Sequence, residues 1–547
     1  MHKYFARRPW NVFNELISHY SSRGDTVLDP FCGGGVTAVE SLKLGRKAIA
    51  VDLNPLATYV TEMECRPLNI ETFQEAFSQV SKNVRGEISA LYQTRCAQCG
   101  SDAVADWLEW NERKPQIIRL KYDCGECGSS RKKKPSEHDV KLARDIDANF
   151  ARRVKEEALW FPMTHIPNGD KTNSLLGKDI DFFYELFTKR NLLALSLLLK
   201  EVHRVENKEG GDFLKFAFSS SLKWASRQSH LRGEIVEGWA MHAYWIYPKS
   251  LEINVWKTFQ RRAQALIRGK KYSNQHIGEF YRPAKNFNDM ANGAATCLVL
   301  SANSAMLPLP DNVIDTIITD PPYGGNVNYA ELSDYWFIWM SEGRIIEKNG
   351  EVIINRTQGK ALSDYGSLLG AVLRECYRVL KTDRYLVSTF NSKDIRVVAS
   401  FVTAASKAGF TLPPDGLIYQ SPIRPYATTF HAMQIGAFVG DFIFTFVKKT
   451  QPGVRTPNTT HTISDMKEFL TRSIADAIEG GLTEPQLMEK AYGLLIPFLA
   501  ENARIDPSAC EQAIDFFETK MRENEAHFNK QRKKITETRR RRFRRRS

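Results

Sequence analysis

Short apolar runs rich in β-branched residues alternate with helix-like periodicity along much of this chain. The strand-like runs lie at 25–29, 47–52, 296–300, 313–319, 385–390 and 441–447. Strands alternating with helices predict a mostly parallel sheet covered by helices on both faces. We therefore predict an α/β, doubly wound fold. The alternation stops between residues 66 and 295, so a large insertion is expected to split the sheet.

The changes in pattern divide the chain into six predicted segments. Two of them, 1–65 and 296–449, form the halves of the sheet domain. The others are a cysteine-bearing segment (66–140), a mostly helical segment (141–295), a small helical region (450–529) and a basic tail (530–547). The length of 547 residues fits several domains of ordinary size.

Charge is concentrated at the end of the chain. The chain carries a net charge of +13, of which +10 lies between Lys530 and Arg546. A basic tail favours polyanions through counterion release but says nothing about sequence specificity. Nine cysteines, with neither a signal-like start nor a membrane-length apolar run, predict a cytoplasmic protein without a membrane partner.

The strand at 313–319 ends abruptly at an acid, two prolines and an aromatic residue. Ligands of open α/β sheets bind at the carboxyl ends of strands. There Asp320 can accept a hydrogen bond from an exocyclic amine, the Pro321 carbonyl can accept a second, and Tyr323 can stack on a flat ring. The alternative is a proline-terminated strand with a surface aspartate.

A glycine loop follows the first strand. The order Asp29-Pro30-Phe31-Cys32-Gly33-Gly34-Gly35 places three glycines between strand and helix, where backbone can approach a ligand closely. The loop is neither G-x-G-x-x-G nor a P-loop. Asp52 ends the second strand, where an acid can take ribose hydroxyls. A generic tight turn is the alternative.

Two Cys-x-x-Cys pairs, Cys96 with Cys99 and Cys124 with Cys127, lie 24 residues apart. Two such pairs suit a tetrahedral zinc ion, and four thiolate ligands indicate a structural role. Strand-like runs between the pairs complete a zinc ribbon. A redox pair is the alternative. Elsewhere in the insertion, the run 219–228 mixes hydroxyls, aromatic residues and bases, which fits either nucleic-acid contact or ordinary surface.

Taken together, these motifs resemble those of bacterial and archaeal DNA adenine methylases that contain a zinc ribbon. The motifs are the aromatic and basic N-terminal segment, the Asp29–Gly35 loop, Asp52, the four cysteines, Asp320-Pro321-Pro322-Tyr323, and the runs 355–360 and 387–394. The resemblance implies a seven-stranded methyltransferase sheet, S-adenosylmethionine (SAM) as the methyl donor, and a flipped base of double-stranded DNA as the acceptor. It also implies that the first segment covers SAM.

The resemblance carries roles to matched residues. Catalytic roles fall on Asp320, Pro321, Pro322 and Tyr323; cofactor-binding roles fall on Asp29, Phe31, Gly33, Gly35, Thr37, Asp52, Leu53 and Ser304; zinc ligands are Cys96, Cys99, Cys124 and Cys127. There are two departures: Val36 stands before Thr37, and Asn303-Ser304 replaces an acid that often faces the adenine of SAM. The insertion between the two motifs is the candidate region for target recognition.

Several alternatives stay open. Asp-Pro-Pro-Tyr also occurs in cytosine-N4 DNA enzymes and in guanine-N2 tRNA enzymes. The chain could also be an inactive DNA-binding defence subunit, or an enzyme that needs a restriction or defence partner docked on its C-terminal helices. Cys32 is expected to be a packing residue, which argues against cytosine-C5 chemistry.

Overall fold

A computed structural model describes residues 1–420, 440–449 and 462–529. Its strands are β1 (Thr26–Asp29), β2 (Lys47–Asp52), β3 (Gln93–Arg95), β4 (Asp102–Asn111), β5 (Gln116–Asp123), β6 (Ser130–Lys133), β7 (His230–Arg232), β8 (Ile235–Glu237), β9 (Lys249–Ile253), β10 (Cys297–Ser301), β11 (Ile314–Thr319), β12 (Leu380–Phe390), β13 (Leu417–Gln420) and β14 (Asp441–Lys448). The predicted basic tail, 530–547, and most of the linker, 450–461, lie outside the described residues.

Within the described residues, helices account for most of the insertion and the C-terminal region. In chain order they are α1 (Trp10–Tyr20), α2 (Val36–Lys43), α3 (Pro55–Cys65), α4 (Ile70–Ala90), α5 (Glu137–Glu156), α6 (Asn173–Leu176), α7 (Lys189–His203), α8 (Lys208–Ala225), α9 (Val255–Ile277), α10 (Phe287–Ala291), α11 (Tyr329–Met340), α12 (Leu362–Val379), α13 (Ile395–Ala408), α14 (Ile463–Glu479), α15 (Glu484–Asn502) and α16 (Pro507–Glu523), with a 3-10 turn at Phe183–Leu186. Within the described ranges, no helix combines the length and apolarity needed to cross a bilayer.

The central sheet has the order β10-β2-β1-β11-β12-β14-β13 within the described residues. The first five strands are parallel, and β14 pairs antiparallel with both β12 and β13. The predicted α/β fold with a mostly parallel sheet is confirmed. Chain order reverses beside β1: the chain runs outward to β2 and β10, then returns to β11 on the other side. Ligands of doubly wound sheets bind at such a switch point.

Both faces of this sheet are covered. Every residue of β11 is buried, which explains why its sequence is a continuous β-branched run rather than an alternation. On one face Phe13 and Ile17 of α1 pack against Val27 and Ile318. On the other face α12, α13 and the C-terminal helices form a large apolar cluster.

The insertion forms its own layered unit. The antiparallel strands β3 to β6 carry the cysteine pairs, and β9, from the helical part of the insertion, pairs with β4. Helices α4, α7, α8 and α9 pack beside this sheet in one apolar cluster. Helix α11, which follows the Asp320–Tyr323 motif, belongs to the same cluster through Tyr335 and Trp336, whose rings contact Trp239. The insertion is therefore packed directly against the segment that follows Asp320.

Candidate active site

The carboxylate of Asp29 organises the loop at the end of β1. It accepts hydrogen bonds from the Phe31 amide (3.1 Å), the Thr37 hydroxyl (2.6 Å) and the Thr319 hydroxyl (2.7 Å). Asp29 is buried, and burial raises its pKa to about 6, although these three donors act in the opposite direction. Its contacts tie β1, the loop, α2 and β11 together.

The glycines let the loop backbone pass close to its neighbours. Gly33 and Gly35 have φ angles of +46° and +77°, which favour glycine. A Cβ at Gly35 would lie 2.8 Å from the Thr61 hydroxyl, and one at Gly33 would lie 3.2 Å from the Tyr4 ring. The loop can therefore take this path only with a glycine at position 35. Gly35 directly precedes the first turn of α2.

Asp52 ends β2 on the same edge of the sheet. Its carboxylate accepts hydrogen bonds from the amides of Gly33 (3.0 Å) and Asn54 (2.9 Å). Burial is the main cause that raises its pKa to about 7, and the two amides oppose it. Each oxygen carries one of these bonds and keeps a lone pair for another donor.

A cavity with about 980 Å³ of empty space, partly open to solvent, lies at this edge. Nine of the predicted site residues line it: Asp29, Phe31, Gly33, Thr37, Asp52, Leu53, Ser304, Asp320 and Pro322. The N-terminal residues 4–8 form another wall, and residues 346–352 form a third. Gly35, Pro321 and Tyr323 do not line it.

Asn303 and Ser304 stand where the family pattern often has an acid. Both line the cavity. The Ser304 hydroxyl is buried and donates to the Pro30 carbonyl at 2.7 Å. Acids do reach the same cavity from elsewhere in the chain, because Glu347 and Glu351 also line it.

Asp320 leaves β11 beside β1 and faces this cavity. The Arg8 guanidinium donates to both of its oxygens, from Nε to Oδ2 at 2.6 Å and from Nη2 to Oδ1 at 2.9 Å. The hydroxyls of Thr389 (2.7 Å) and Tyr323 donate to Oδ1 as well. Burial raises the pKa of Asp320 to about 6, and the Arg8 charge opposes this rise. The carboxylate is thus held by donors from several parts of the chain.

The rest of the motif is held by packing. The Tyr323 ring lies 4.7 Å from the Phe390 ring, centroid to centroid. The Pro322 carbonyl accepts a 2.7 Å hydrogen bond from the Tyr365 hydroxyl. Pro321 is buried, and its carbonyl accepts no hydrogen bond among the described residues. The hydrogen-bonding capacity of the Pro321 carbonyl is therefore unused among the described residues, although Pro321 does not line the cavity.

Sequence reasoning missed three residues around Asp320. Arg8, Thr389 and Asp441 come from the N-terminal segment, β12 and β14, and Arg8 also donates from Nη1 to Asp441 at 2.9 Å. The only signal in the sequence was the basic pair Arg7-Arg8 within an aromatic segment. Thr389 lies in the motif run 387–394, but nothing local indicates that Thr389 or Asp441 lies beside Asp320, because only the sheet order brings β12 and β14 there.

The run 219–228 is mostly internal, so both expectations for it were wrong. Ser219, Ser221, Ser226 and Gln228 are buried. Most of the run lies at the end of α8, which packs against α4 and α9. The mixture of residue types had suggested exposure, but helical position determined burial. Cys32 is buried, and burial raises the pKa of its thiol, as suits a packing residue.

The four cysteines lie together in the insertion. Their Sγ atoms all lie within 4.8 Å of one another. Cys96 and Cys127 are 3.7 Å apart, and Cys99 and Cys124 are 3.6 Å apart. Four sulfur ligands at about 2.3 Å from a tetrahedral zinc ion would be about 3.8 Å from one another, so these distances fit zinc.

The amino-acid sequence is similar to those of known DNA methylases. Residues 2–62 match the model of the N6/N4 DNA methylase family. The Type II methyltransferase M.MjaII of Methanocaldococcus jannaschii is 20% identical over 408 residues, which cover 72% of this chain and 69% of that protein. The Type II methyltransferase M.MvaI of Kocuria varians is 20% identical over 338 residues, covering 60% of this chain and 53% of that protein.

Among solved structures, a chain described as a DNA modification methylase from Thermus thermophilus aligns with a TM-score of 0.15 and 15% identity. The alignment covers 30% of this chain and 57% of that one. The matched family and the two Type II relatives support identification of this chain as a DNA methyltransferase, without distinguishing adenine N6 from cytosine N4.

Proposed function

We propose that this protein transfers a methyl group from SAM to an exocyclic amine of a DNA base, with N6 of adenine as the favoured acceptor. One observation carries the proposal: Asp320 and the glycine loop face the same cavity from adjacent strands. The family and relatives already point to DNA methylation. The choice of adenine rests on the resemblance of the motifs.

The cofactor end of the cavity suits SAM by its donors and acceptors. Asp52 offers two carboxylate lone pairs for ribose hydroxyls. The backbone at Gly33 and the first turn of α2 offer polar groups and the positive end of a helix. Phe31 and Leu53 supply apolar walls. SAM, when bound, supplies an activated methyl group, so the protein's task is to position the acceptor amine.

The acceptor end is built around Asp320. Its carboxylate would accept one hydrogen from the amine and the Pro321 carbonyl the other, which directs the nitrogen lone pair toward the methyl donor. Tyr323 would stack on the base. A base in duplex DNA must first leave the helix, at a cost of a few kcal/mol.

The test is methyl transfer from labelled SAM to unmethylated genomic DNA and to tRNA, followed by nucleoside mass spectrometry. N6-methyladenine that disappears in Asp320→Ala is the expected result. N4-methylcytosine would keep the mechanism and change the base; the family model names both chemistries. Label in tRNA alone would overturn the DNA substrate. Absence of SAM binding would favour an inactive DNA-binding subunit, and SAM binding without transfer would point to a missing partner protein.

We further propose that the insertion reads the target sequence. Tyr244 donates a 2.9 Å hydrogen bond to the Glu331 carbonyl, at the start of α11. Next to it, Trp245 is 49% exposed, and the Lys178 ammonium lies 4.0 Å from its ring centroid. An exposed ring and a cation beside the catalytic segment suit contact with bases and phosphates.

Trp245→Ala should weaken DNA binding or change the methylated sequence while leaving SAM affinity unchanged. The matched control is Tyr272→Ala, since Tyr272 is 52% exposed on a different part of the insertion and also has a lysine, Lys43, 5.6 Å from its ring centroid. Sequencing of methylated sites in both variants checks this. An unchanged site and unchanged DNA affinity for Trp245→Ala would remove the role from this loop.

We also propose that Cys96, Cys99, Cys124 and Cys127 hold one structural zinc ion. Their sulfur separations support this assignment. The ion would close the end of the β3–β6 sheet. This end is far in sequence from both the glycine loop and Asp320.

A further inference from the structure

The side chain of Arg8 occupies the place assigned above to the target base. Its guanidinium takes both oxygens of Asp320, at 2.6 Å and 2.9 Å. The same group lies 5.3 Å from the centroid of the Tyr323 ring and also donates to the Tyr323 hydroxyl. Arg8 thus uses the acceptor proposed for the amine and covers part of the ring proposed for stacking.

A guanidinium imitates the amino-bearing edge of a base. It is planar, carries several N–H donors and stacks on aromatic faces. Oδ1 of Asp320 already accepts from Thr389, Tyr323 and Arg8, whereas Oδ2 accepts from Arg8. A base amine can reach this carboxylate only after the guanidinium moves.

Arg8 already contacts a second carboxylate that lies outside the proposed reaction. Its Nη1 donates to Asp441 at 2.9 Å. The segment that carries Arg8 is fixed on both sides, because Tyr4 and Phe5 are buried and Arg7 pairs with Glu64 at 3.3 Å. Asp441 can therefore keep the guanidinium paired when Arg8 releases Asp320.

We propose that Arg8 is a positioning residue that takes the place of the target base. Its guanidinium holds Asp320 in place until a base displaces the guanidinium onto Asp441. The proposal rests on the base site assigned under the proposed function. It adds a competitor within the chain itself, which a base must displace in order to bind. Bases without an amine to donate to Asp320 would not displace the Arg8 guanidinium.

Base binding can be measured without methyl transfer. The probe is the 2-aminopurine nucleoside, whose fluorescence is quenched by stacking, added to full-length protein saturated with S-adenosylhomocysteine. Arg8→Met, which keeps the aliphatic stem, should bind the probe at least about tenfold more tightly than wild type, and Tyr323→Leu in the same background should abolish the quenching. Arg152→Met removes an exposed arginine of the insertion that does not line the cavity, and it should match wild type.

A variant of opposite sign keeps the test decisive even if Arg8→Met folds poorly. Asp441→Asn weakens an anchor that would hold Arg8 away from Asp320, so it should bind the probe more weakly than wild type. Equal affinity in all variants, or no quenching by any, would overturn the proposal. If wild type methylates neither DNA nor tRNA while the Arg8 difference persists, the proposed function falls and the proposed role of Arg8 remains.

Methyl transfer provides an independent readout. Among the described residues, the charged and titratable groups that interact with Asp320 include Arg8, Asp441, Tyr323 and Tyr329. Arg8 lowers the pKa of Asp320, so Arg8→Met should move the acid limb of kcat/KM to higher pH and lower KM for DNA above that limb. Arg8→Lys, which keeps the charge, should restore the limb toward its wild-type position. A uniform loss of activity with an unmoved limb would indicate a merely structural role and overturn the proposal.

Discussion

The hydroxyl of Thr319 donates a 2.7 Å hydrogen bond to the carboxylate of Asp29. The two residues end adjacent parallel strands, β11 and β1. One begins the glycine loop, and the other immediately precedes Asp320. This bond therefore sets the distance between the proposed cofactor end and the proposed acceptor end of the cavity. Because methyl transfer depends on alignment of donor and acceptor, a small change here should affect rate more than binding.

Thr319→Val tests this link. The substitution keeps the shape of a buried side chain and removes a donor from a buried carboxylate. Hydrogen bonds to charged groups are worth about 1.5–3 kcal/mol, and we expect a loss of stability in that range. The kcat should fall more than the affinity for SAM. Denaturant unfolding and single-turnover methyl transfer would measure both.

Thr316→Val is the matched control for that substitution. Thr316 lies on the same strand, is equally buried, and donates to the neutral Tyr385 carbonyl at 3.3 Å. We expect a smaller loss of stability and an unchanged ratio of kcat to SAM affinity. Equal effects from the two valines would mean that the bond to Asp29 has no special role.

Gly35→Ala should disable the cofactor loop. Its new Cβ would meet the Thr61 hydroxyl at 2.8 Å, and the φ of +77° would be strained in addition. Gly24→Ala separates these two causes, because Gly24 has a φ of +89° but no atom within 4 Å of a new Cβ. Strain alone costs about 1 kcal/mol. Gly35→Ala should cost more than Gly24→Ala and should also lose SAM affinity, as calorimetry can show. Equal loss in both variants would contradict a tight loop.

Local patterns revealed most of the sheet and both ends of the cavity. Strand β11 could be predicted because a fully buried parallel strand needs a continuous apolar run. The glycine loop could be predicted because three glycines in succession are typical of a backbone that passes close to its neighbours. The sequence did not predict that Arg8 and Asp441 would lie beside Asp320. They are 433 residues apart, and a charge in a sequence is equally compatible with solvent. Only the three-dimensional fold shows that both side chains point into one site.

Burial was harder to predict than secondary structure. The run 219–228, most of which lies in α8, was expected either to contact nucleic acid or to form ordinary surface. Ser221 instead donates to the carbonyl of Phe218 at 2.6 Å, so it satisfies its own polar group within the helix. A serine that bonds to its own helix can be buried at little cost, and the sequence pattern does not distinguish it from an exposed one.

SAM affinity should depend on the ionisation of Asp52. A ribose hydroxyl donates to the ionised carboxylate, whose pKa is raised to about 7. Affinity should therefore fall as pH drops below about 7, by at most about tenfold per pH unit for a single group. Asp52→Asn should bind SAM weakly and with a flatter pH dependence. Binding titrations between about pH 5 and pH 9 would check both curves; parallel curves would exclude Asp52 as the titrating group.

Asp52 should also affect stability, with a definite sign. Its folded pKa of about 7 exceeds the ordinary value of 3.8, so the folded state binds more protons than the unfolded state between these values. Stability from this group is therefore present at low pH and lost as pH rises through about 7. Asp52→Asn should be more stable than wild type above this range and should unfold with less pH dependence. Thermal unfolding without SAM would measure the difference.

Zinc removal should unfold the cysteine-bearing sheet before the methyltransferase sheet. The outer strands β3 and β6 are short, and β9 ties β4 to the helical part of the insertion. Metal analysis should give one zinc per chain, and cobalt substitution should give the absorption of tetrahedral thiolate ligands. Cys99→Ser should lose the metal. Cys510→Ala, a change at a buried cysteine outside the cluster, should retain it.

The consequences of zinc loss distinguish a structural ion from a catalytic one. The cysteine cluster does not line the cavity that contains Asp320, so chelated protein should still bind SAM. DNA methylation should fall, since β4 pairs with β9 and the helical part of the insertion packs against α11 beside the catalytic motif. Limited proteolysis should then cut first within residues 93–133. Loss of SAM binding at the same chelator concentration, with the insertion still protected, would contradict a structural role confined to the insertion.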